Sequence, residues 1–251
     1  MRMEGPDFSK IFHAFSKRGH PDDRKGSFSG RADALNLSGR REYKIYSGVP
    51  TVSLPDQSDR NHPIFSAFLL RKSEREYSAI NSLNLQDLAQ LLKYSVGSID
   101  DGKLPITRRP YPSAGALYPL EIYLLVFRQF DGLKTGIYHY RVDTHELECI
   151  EERVFLDEDI GDIASYEWVK KGSVMIVLTA VFERTQSKYN ERGYRYVLIE
   201  AGHVGQNMCL AAPALSLKIC PLVGTYDSRI EQLLEIDGIT ESVVYSLVIG
   251  K

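Results

Sequence analysis

Arg108-Arg109-Pro110-Tyr111-Pro112-Ser113-Ala114-Gly115-Ala116-Leu117-Tyr118-Pro119 runs without a break into Leu120-Glu121-Ile122-Tyr123-Leu124-Leu125-Val126-Phe127. Proline fixes φ and withdraws a backbone donor. Glycine lets a backbone approach a surface that a Cβ would hold away. The second run is apolar and rich in β-formers, so it reads as a strand. A stiff loop feeding a buried strand is suited to holding a flat ligand, although taken alone it is also an ordinary Pro-rich turn.

Working outward, strands are predicted at 121–128, 136–141, 146–152, 174–181 and 243–249. Asp143 and Thr144 form the turn of a hairpin. Residues 62–97 read as helical: Asn84 or Ser82 caps a helix with Leu85, Leu88, Leu91 and Leu92 on one face, and Gly97 ends it. The longest helical pattern spans 190–217, and a short helix follows at 228–235. From Val197 to Leu215 the long helix is apolar nearly all round, which places it in the middle of a fold or at a subunit interface. It also carries Glu200, His203, Gln206 and Asn207, with Gly202 and Gly205 allowing close packing. Either a buried polar stripe or a homodimer interface shaping a shared pocket accounts for this set, and two-fold dimers are the commonest oligomers. Residues 1–60 are polar and mixed in charge, and form an arm distinct from the domain at 61–251.

Composition excludes several function classes. A net charge of −2 over 251 residues calls for no nucleic-acid partner. Cys149, Cys209 and Cys220 are odd in number, none forms a CxxC pair, and no His spacing fits a zinc site, so no metal is expected. Reduced cysteines fit a cytoplasmic protein. The N-terminus carries Asp7 and lacks the apolar run of a signal peptide. No segment approaches the ~20 apolar residues that cross a bilayer.

Four constellations can carry chemistry. Arg71-Lys72-Ser73, with Arg75, groups cations and a hydroxyl near an expected helix start, which suits a phosphate. The Pro-rich loop offers Ser113 and bare backbone at Gly115. Residues 183–192 follow a strand and precede the long helix, the kind of junction where active-site groups gather. Within them Lys188 adjoins Tyr189, and an ammonium beside a phenol favours proton transfer there. Lastly, Pro221-Leu222-Val223-Gly224-Thr225-Tyr226-Asp227 is a turn whose backbone N–H groups can face an electron-rich ring edge. Each has a plain alternative: a solvated basic face, a Pro-rich turn, a surface lysine beside a packed tyrosine, and an ordinary turn.

Taken in order, these motifs resemble the nitroreductase superfamily: Arg-Lys-Ser, then Pro-Ser-Ala-Gly-Ala-Leu-Tyr-Pro-Leu-Glu-Ile-Tyr, Lys-Tyr, Tyr-Arg-Tyr with Glu-Ala-Gly-His and Asn, and Pro-Leu-Val-Gly-Thr-Tyr-Asp. More narrowly they resemble the SagB-type dehydrogenases, the azoline oxidases of thiazole/oxazole-modified peptide biosynthesis. The Pro-Ser-Ala-Gly-Ala-Leu-Tyr-Pro run and the Lys188-Tyr189 pair carry the narrower likeness, which spans roughly residues 65–251.

The resemblance implies an α+β fold with a mostly antiparallel central sheet flanked by helices. It also implies a homodimer that shares two FMN sites across its interface. Arg71 and Ser73, with Lys72 through its backbone, then grip the FMN phosphate and ribityl chain. Pro112, Ser113, Ala114 and Gly115 lie along the isoalloxazine. Val223 and Gly224 point backbone N–H groups at its N5 and O4 edge, and Lys251 falls near a second phosphate contact. Lys188 and Tyr189 are the catalytic pair. The expected reaction oxidises a thiazoline or oxazoline of a ribosomal peptide to the azole, with a cyclodehydratase as partner. A NAD(P)H-dependent nitro- or ene-reductase, or a flavin-free scaffold subunit of a synthetase complex, is the alternative. The sequence has no G-x-G-x-x-G dinucleotide motif.

Overall fold

Val174 to Val181 holds eight residues of which seven are buried, with none of the alternation of a half-exposed strand. Such a run belongs in the centre of a sheet covered on both faces, and there the computed structural model places it. The structure describes residues 10–13, 63–78, 83–99 and 108–251. The rest of the 1–60 arm, and the alternative cap Ser82, lie outside the described residues.

In chain order the elements are α1 (Pro63–Leu70), α2 (Leu85–Val96), β1 (Leu120–Val126), β2 (Gly136–Arg141), β3 (Glu146–Glu152), α3 (Asp157–Ile163), β4 (Val174–Val181), α4 (Glu183–Tyr189), α5 (Arg192–Ala214), β5 (Lys218–Leu222), α6 (Asp227–Leu233) and β6 (Glu241–Gly250). The strands form one sheet in the order β3-β2-β1-β4-β6-β5. Every pairing is antiparallel, so the α+β architecture stands. The hairpin turn lies between β2 and β3 as expected.

Neighbouring residues of β4 serve opposite layers. Ile176 and Leu178 pack with Ile122 and Leu124 of β1, Leu88 and Leu91 of α2, and Val197, Val204 and Met208 of α5. Met175 and Val177 face the other way, toward Ile160 and Ile163 of α3 and Ile230 of α6. β3 is the contrasting case. At the sheet edge it is exposed along nearly its whole length, and Glu146, Glu148, Glu151 and Glu152 discourage further strand pairing there.

Two expected helical regions differ. Asn84 caps α2, accepting from the Asp87 N–H at 2.6 Å. Residues 71–78, by contrast, form no helix; their backbone bonds to the sheet instead, the Glu74 N–H donating to the Ile219 carbonyl of β5 at 2.9 Å. The long helix is also not buried all round in a single chain. Val197, Glu200, Ala201, Val204 and Met208 face inward, while Leu198 and Ile199 are exposed. Gly205 lets the Tyr245 ring approach, whereas a side chain at Gly202 would meet nothing within 4 Å. α1 has no buried residue, and Phe65, Phe68, Leu69 and Leu70 stand in the open. Among the described residues no helix is long and apolar enough to cross a membrane.

Candidate functional site

The Pro-rich loop is held in a conformation that few side chains adopt. Gly115, Ala116 and Tyr118 have φ of 65°, 55° and 45°, and each non-glycine residue there costs about 1 kcal/mol or more. Local contacts over-determine this shape. The Tyr118 N–H donates to Ser113 Oγ at 2.9 Å. The Arg109 guanidinium lies 4.6 Å from the centre of the Tyr118 ring and donates to the Tyr111 hydroxyl at 2.9 Å. Tyr111 meets Tyr118 edge-on at 5.8 Å.

Behind the loop stands α5. Asn207 Nδ2 donates to the carbonyls of Pro110 at 2.9 Å and Ser95 at 3.3 Å. Glu200 is 2% exposed. Burial pushes its carboxyl up to about 7, against the opposing pull of the Ser113 hydroxyl and Arg109. Its Oε1 finds no hydrogen-bond partner among the described residues. Burial, moderated by Arg109, also pushes the Tyr111 phenol up to about 12. The sequence singled out Glu200 and Asn207 as part of a polar stripe or dimer interface and of the family motif, and their tie to the loop needed the fold.

In front of the loop stands α4. The stretch expected as a loop is a helix from Glu183 to Tyr189, anchored by the buried side chains of Phe182 and Thr185. Lys188 and Tyr189 lie in its last turn, and Asn190, with φ of 52°, ends it. Both side chains reach Gly115. A methyl group on Gly115 would stand 2.9 Å from the Tyr189 hydroxyl and 3.1 Å from Lys188 Nζ. Tyr189 is fixed edge-on against Tyr196 at 5.2 Å, and Lys188 Nζ lies 5.5 Å from the centre of the Tyr189 ring. Two constellations far apart in sequence thus converge on one glycine.

The remaining candidates occupy other places. Arg71, Lys72 and Ser73 follow the end of α1 instead of starting a helix; the Arg71 N–H closes the last turn on Ala67. Lys72 and Ser73 are exposed, with Lys72 3.4 Å from Glu74. Arg71 acts on the Cys209 thiol of α5, which burial pushes up to about 11 and Arg71 draws down. Cys209 is roughly 13 Å beyond Glu200 along the helix at the usual rise. The basic segment thus lies near the part of α5 where Asn207 holds the entrance of the Pro-rich loop, while Glu200 lies farther back along the helix. Val223 is 80% exposed and lines a cleft of about 330 Å³ with Leu198, Tyr194, Tyr245 and Phe12. Gly224 is buried because Tyr166 covers it; a Cβ there would be 2.3 Å from that ring. Lys251 Nζ donates to Asp87 at 2.6 Å and to the Leu215 carbonyl at 3.4 Å.

One element had no sequence signal. His13 is buried and its ring nitrogens meet the Tyr194 hydroxyl and, at 2.6 Å, Ser242 Oγ. Ser242 in turn donates to Glu231. These described residues of the N-terminal arm thus dock on their own chain.

An antiparallel α+β sheet with this loop, helix pair and basic segment matches one family. The Nitroreductase family profile covers residues 70–251, and the chain belongs to that family. It is 33% identical over 190 residues to MJ1384 of Methanocaldococcus jannaschii, whose name places it among nitroreductases; the match covers 74% of this chain and 89% of that one. It is 32% identical over 231 residues to the microcin B17-processing protein McbC of Escherichia coli, covering 84% and 83% of the two chains. The McbC likeness agrees with the SagB-type resemblance. Among solved structures, the E. coli microcin synthetase McbBCD complex with truncated pro-MccB17 bound matches with a TM-score of 0.75 at 24% identity, over 97% of this chain and 91% of that chain.

Proposed function

We propose that this chain is a cytoplasmic FMN-dependent dehydrogenase that oxidises thiazoline or oxazoline rings of a ribosomal peptide to thiazole or oxazole. The observation that carries the reading is the meeting of Lys188 and Tyr189 at Gly115. A flat ring bound beside this junction comes within reach of a phenol and an ammonium.

The chain's residues fit a flavin. Arg71, Lys72 and Ser73 supply the cations and hydroxyl that a phosphate takes. Pro112, Ser113, Ala114 and Gly115 present a rigid wall beside Lys188 and Tyr189. Val223, exposed beside Gly224, leaves room for a ring edge at the end of β5. Lys251 is a second phosphate contact once it exchanges its Asp87 partner. When bound, the flavin supplies the two-electron acceptor. Tyr189, acting in its phenolate form with the Lys188 ammonium stabilising that oxygen, would take the acidic ring C–H proton while the hydride of the neighbouring ring carbon would leave for the flavin, and general-base help of this kind is worth ~10²–10⁴ in rate.

The domain at 61–251 works as a homodimer. The uncovered apolar side chains of α1, and those of Leu198 and Ile199 of α5, are exposed apolar surface of the kind that protein interfaces cover. The 1–60 arm contacts the dimer partner or the cyclodehydratase. The likeness to McbC, a microcin-processing protein, and to a synthetase complex holding its peptide supports a peptide substrate and a synthetase partner.

The test is mass spectrometry of an azoline peptide incubated with the purified, FMN-loaded protein and a cyclodehydratase. Loss of two hydrogens per ring, abolished by Tyr189→Phe, is the expected result. Full oxidation by that variant would remove Tyr189 from the reaction. Rapid NAD(P)H oxidation with a nitroaromatic and no azoline turnover would overturn the reading in favour of a nitro- or ene-reductase.

A further inference from the structure

α4 is short, and its two candidate residues sit in the last turn, so their placement depends on what fixes the helix. Arg184 lies one turn before Lys188, on the same helix face. Its Nη1 lies 2.5 Å from Glu121 Oε1 of β1 and donates to the Tyr118 carbonyl at 3.3 Å. The other Glu121 oxygen meets His139 Nε2 of β2 at 3.0 Å, and His139 Nδ1 meets Glu148 Oε2 of β3 at 2.9 Å. An ionised carboxylate only accepts. With both carboxylates ionised, both ring nitrogens of His139 donate, and the hydrogen bonds to Glu121 and Glu148, against burial, raise the ring above its ordinary value and so favour the imidazolium. Glu148, His139, Glu121 and Arg184 form a line of alternating charge that crosses three adjacent strands and ends on α4.

Two features separate this line from an ordinary surface ion pair, which contributes about 0–1 kcal/mol. Glu121 is only 20% exposed and its charge is opposed by burial, yet His139 and Arg184 together hold its carboxyl below the usual range. Arg184 also grips both sides of the junction. The helix it belongs to carries Lys188 and Tyr189, and the carbonyl it binds belongs to the left-handed segment that contains Gly115.

We propose that Arg184, Glu121 and His139 are positioning residues, a clamp that sets the angle of α4 and so holds Lys188 and Tyr189 against Gly115 for reaction. The proposal rests on the assignment of that pair to azoline oxidation. Misplacement of reacting groups by about 1 Å costs on the order of 10²-fold in rate, so the clamp acts on turnover and not on binding.

The test compares Arg184→Ala, Arg184→Lys and Glu121→Gln with wild type, using FMN-loaded enzyme and an azoline peptide. Lys170→Ala, which breaks a remote pair with Glu167, is the control. For Arg184→Ala and Glu121→Gln, kcat falls roughly 10- to 100-fold while KM and flavin content hold. Arg184→Lys recovers part of the rate, since an ammonium lacks the fork that serves both partners. If Arg184→Ala and Glu121→Gln both keep kcat within about twofold, the clamp is discarded whatever happens to thermal stability. If wild type fails to oxidise azolines, the proposed function falls, and the clamp is read from the acylation rate of Lys188 by an amine-reactive ester. That rate changes about threefold or more in Arg184→Ala relative to wild type and the control, tracking altered exposure of a charged amine; an unchanged rate overturns the clamp.

Discussion

Asn207 Nδ2 donates to the Pro110 carbonyl at 2.9 Å, so the central helix holds the entrance of the Pro-rich loop directly. The same amide reaches Ser95 at the end of α2. Replacing Asn207 with leucine, of similar size, leaves both carbonyls without this donor. Removing one partner from a polar pair costs about 1–3 kcal/mol when buried, and this part-buried pair falls toward the lower end. Urea unfolding of Asn207→Leu should show that loss. A change below about 0.5 kcal/mol would mean that water replaces the amide and the loop does not depend on α5.

Gly115→Ala tests the junction itself. The residue has φ of 65° and faces the Tyr189 hydroxyl and Lys188 Nζ at contact distance. The backbone strain alone is about 1 kcal/mol. The methyl adds a collision that displaces the two side chains or the loop. The expected outcome is a modest fall in melting temperature with a loss of azoline turnover of about 10²-fold or more. A variant that keeps wild-type turnover would show that contact among these three residues is dispensable.

The strands were legible because their patterns are strong. β2, β3 and β4 have the bounds read from sequence, and β1 differs only at its ends. The central place of β4 and the edge place of β3 came only with the fold. The misses share a cause. α4 has seven residues, too few for an isolated helix to be stable; Phe182 and Thr185, packed in the core, supply what local propensity lacks. β5 is five residues long and contains Pro221, which a strand tolerates at a sheet edge but which reads locally as a turn. Residues 71–78 read as helical because nothing local reveals the hydrogen bond to Ile219. At the site, Lys188, Tyr189 and Gly115 were each visible as motifs. Their meeting, and the roles of Glu200, Asn207 and Arg184 around it, depend on contacts across long stretches of sequence that no local pattern encodes.

Lys251 offers a paired prediction. Its ammonium is tied to Asp87, while Asp87 also receives Asn84 Nδ2 at 2.8 Å. If Lys251 serves a phosphate, Asp87 competes for it. Lys251→Ala should weaken FMN binding to the apoprotein roughly tenfold, the scale of a charge-assisted hydrogen bond. Asp87→Asn should strengthen it, because the lysine is then released. Fluorescence titration with FMN measures both, and equal affinities in all three proteins would confine Lys251 to tethering the chain end to α2.

Glu200 makes stability depend on pH in a direction opposite to that of most paired carboxylates. Its folded-state carboxyl is pushed up from 4.5 to about 7 by burial, while the unfolded chain ionises at the ordinary value. Between these two pH values the folded state holds a proton that the unfolded state has released. Stability therefore falls as pH rises through that window, and the penalty is complete above about 7. Glu200→Gln mimics the neutral carboxyl and removes the penalty without changing shape. The variant should match wild type near pH 4.5 and be the more stable protein at pH 8. Unfolding midpoints across that range in parallel buffers measure the difference. Because Ser113 and Arg109 face this carboxyl, the protection of the amides across residues 113–118, taken relative to their intrinsic exchange rate at each pH, should fall as pH rises in wild type and stay level in Glu200→Gln. Parallel pH curves for the two proteins would show that Glu200 ionises normally and that another group shapes the loop's response.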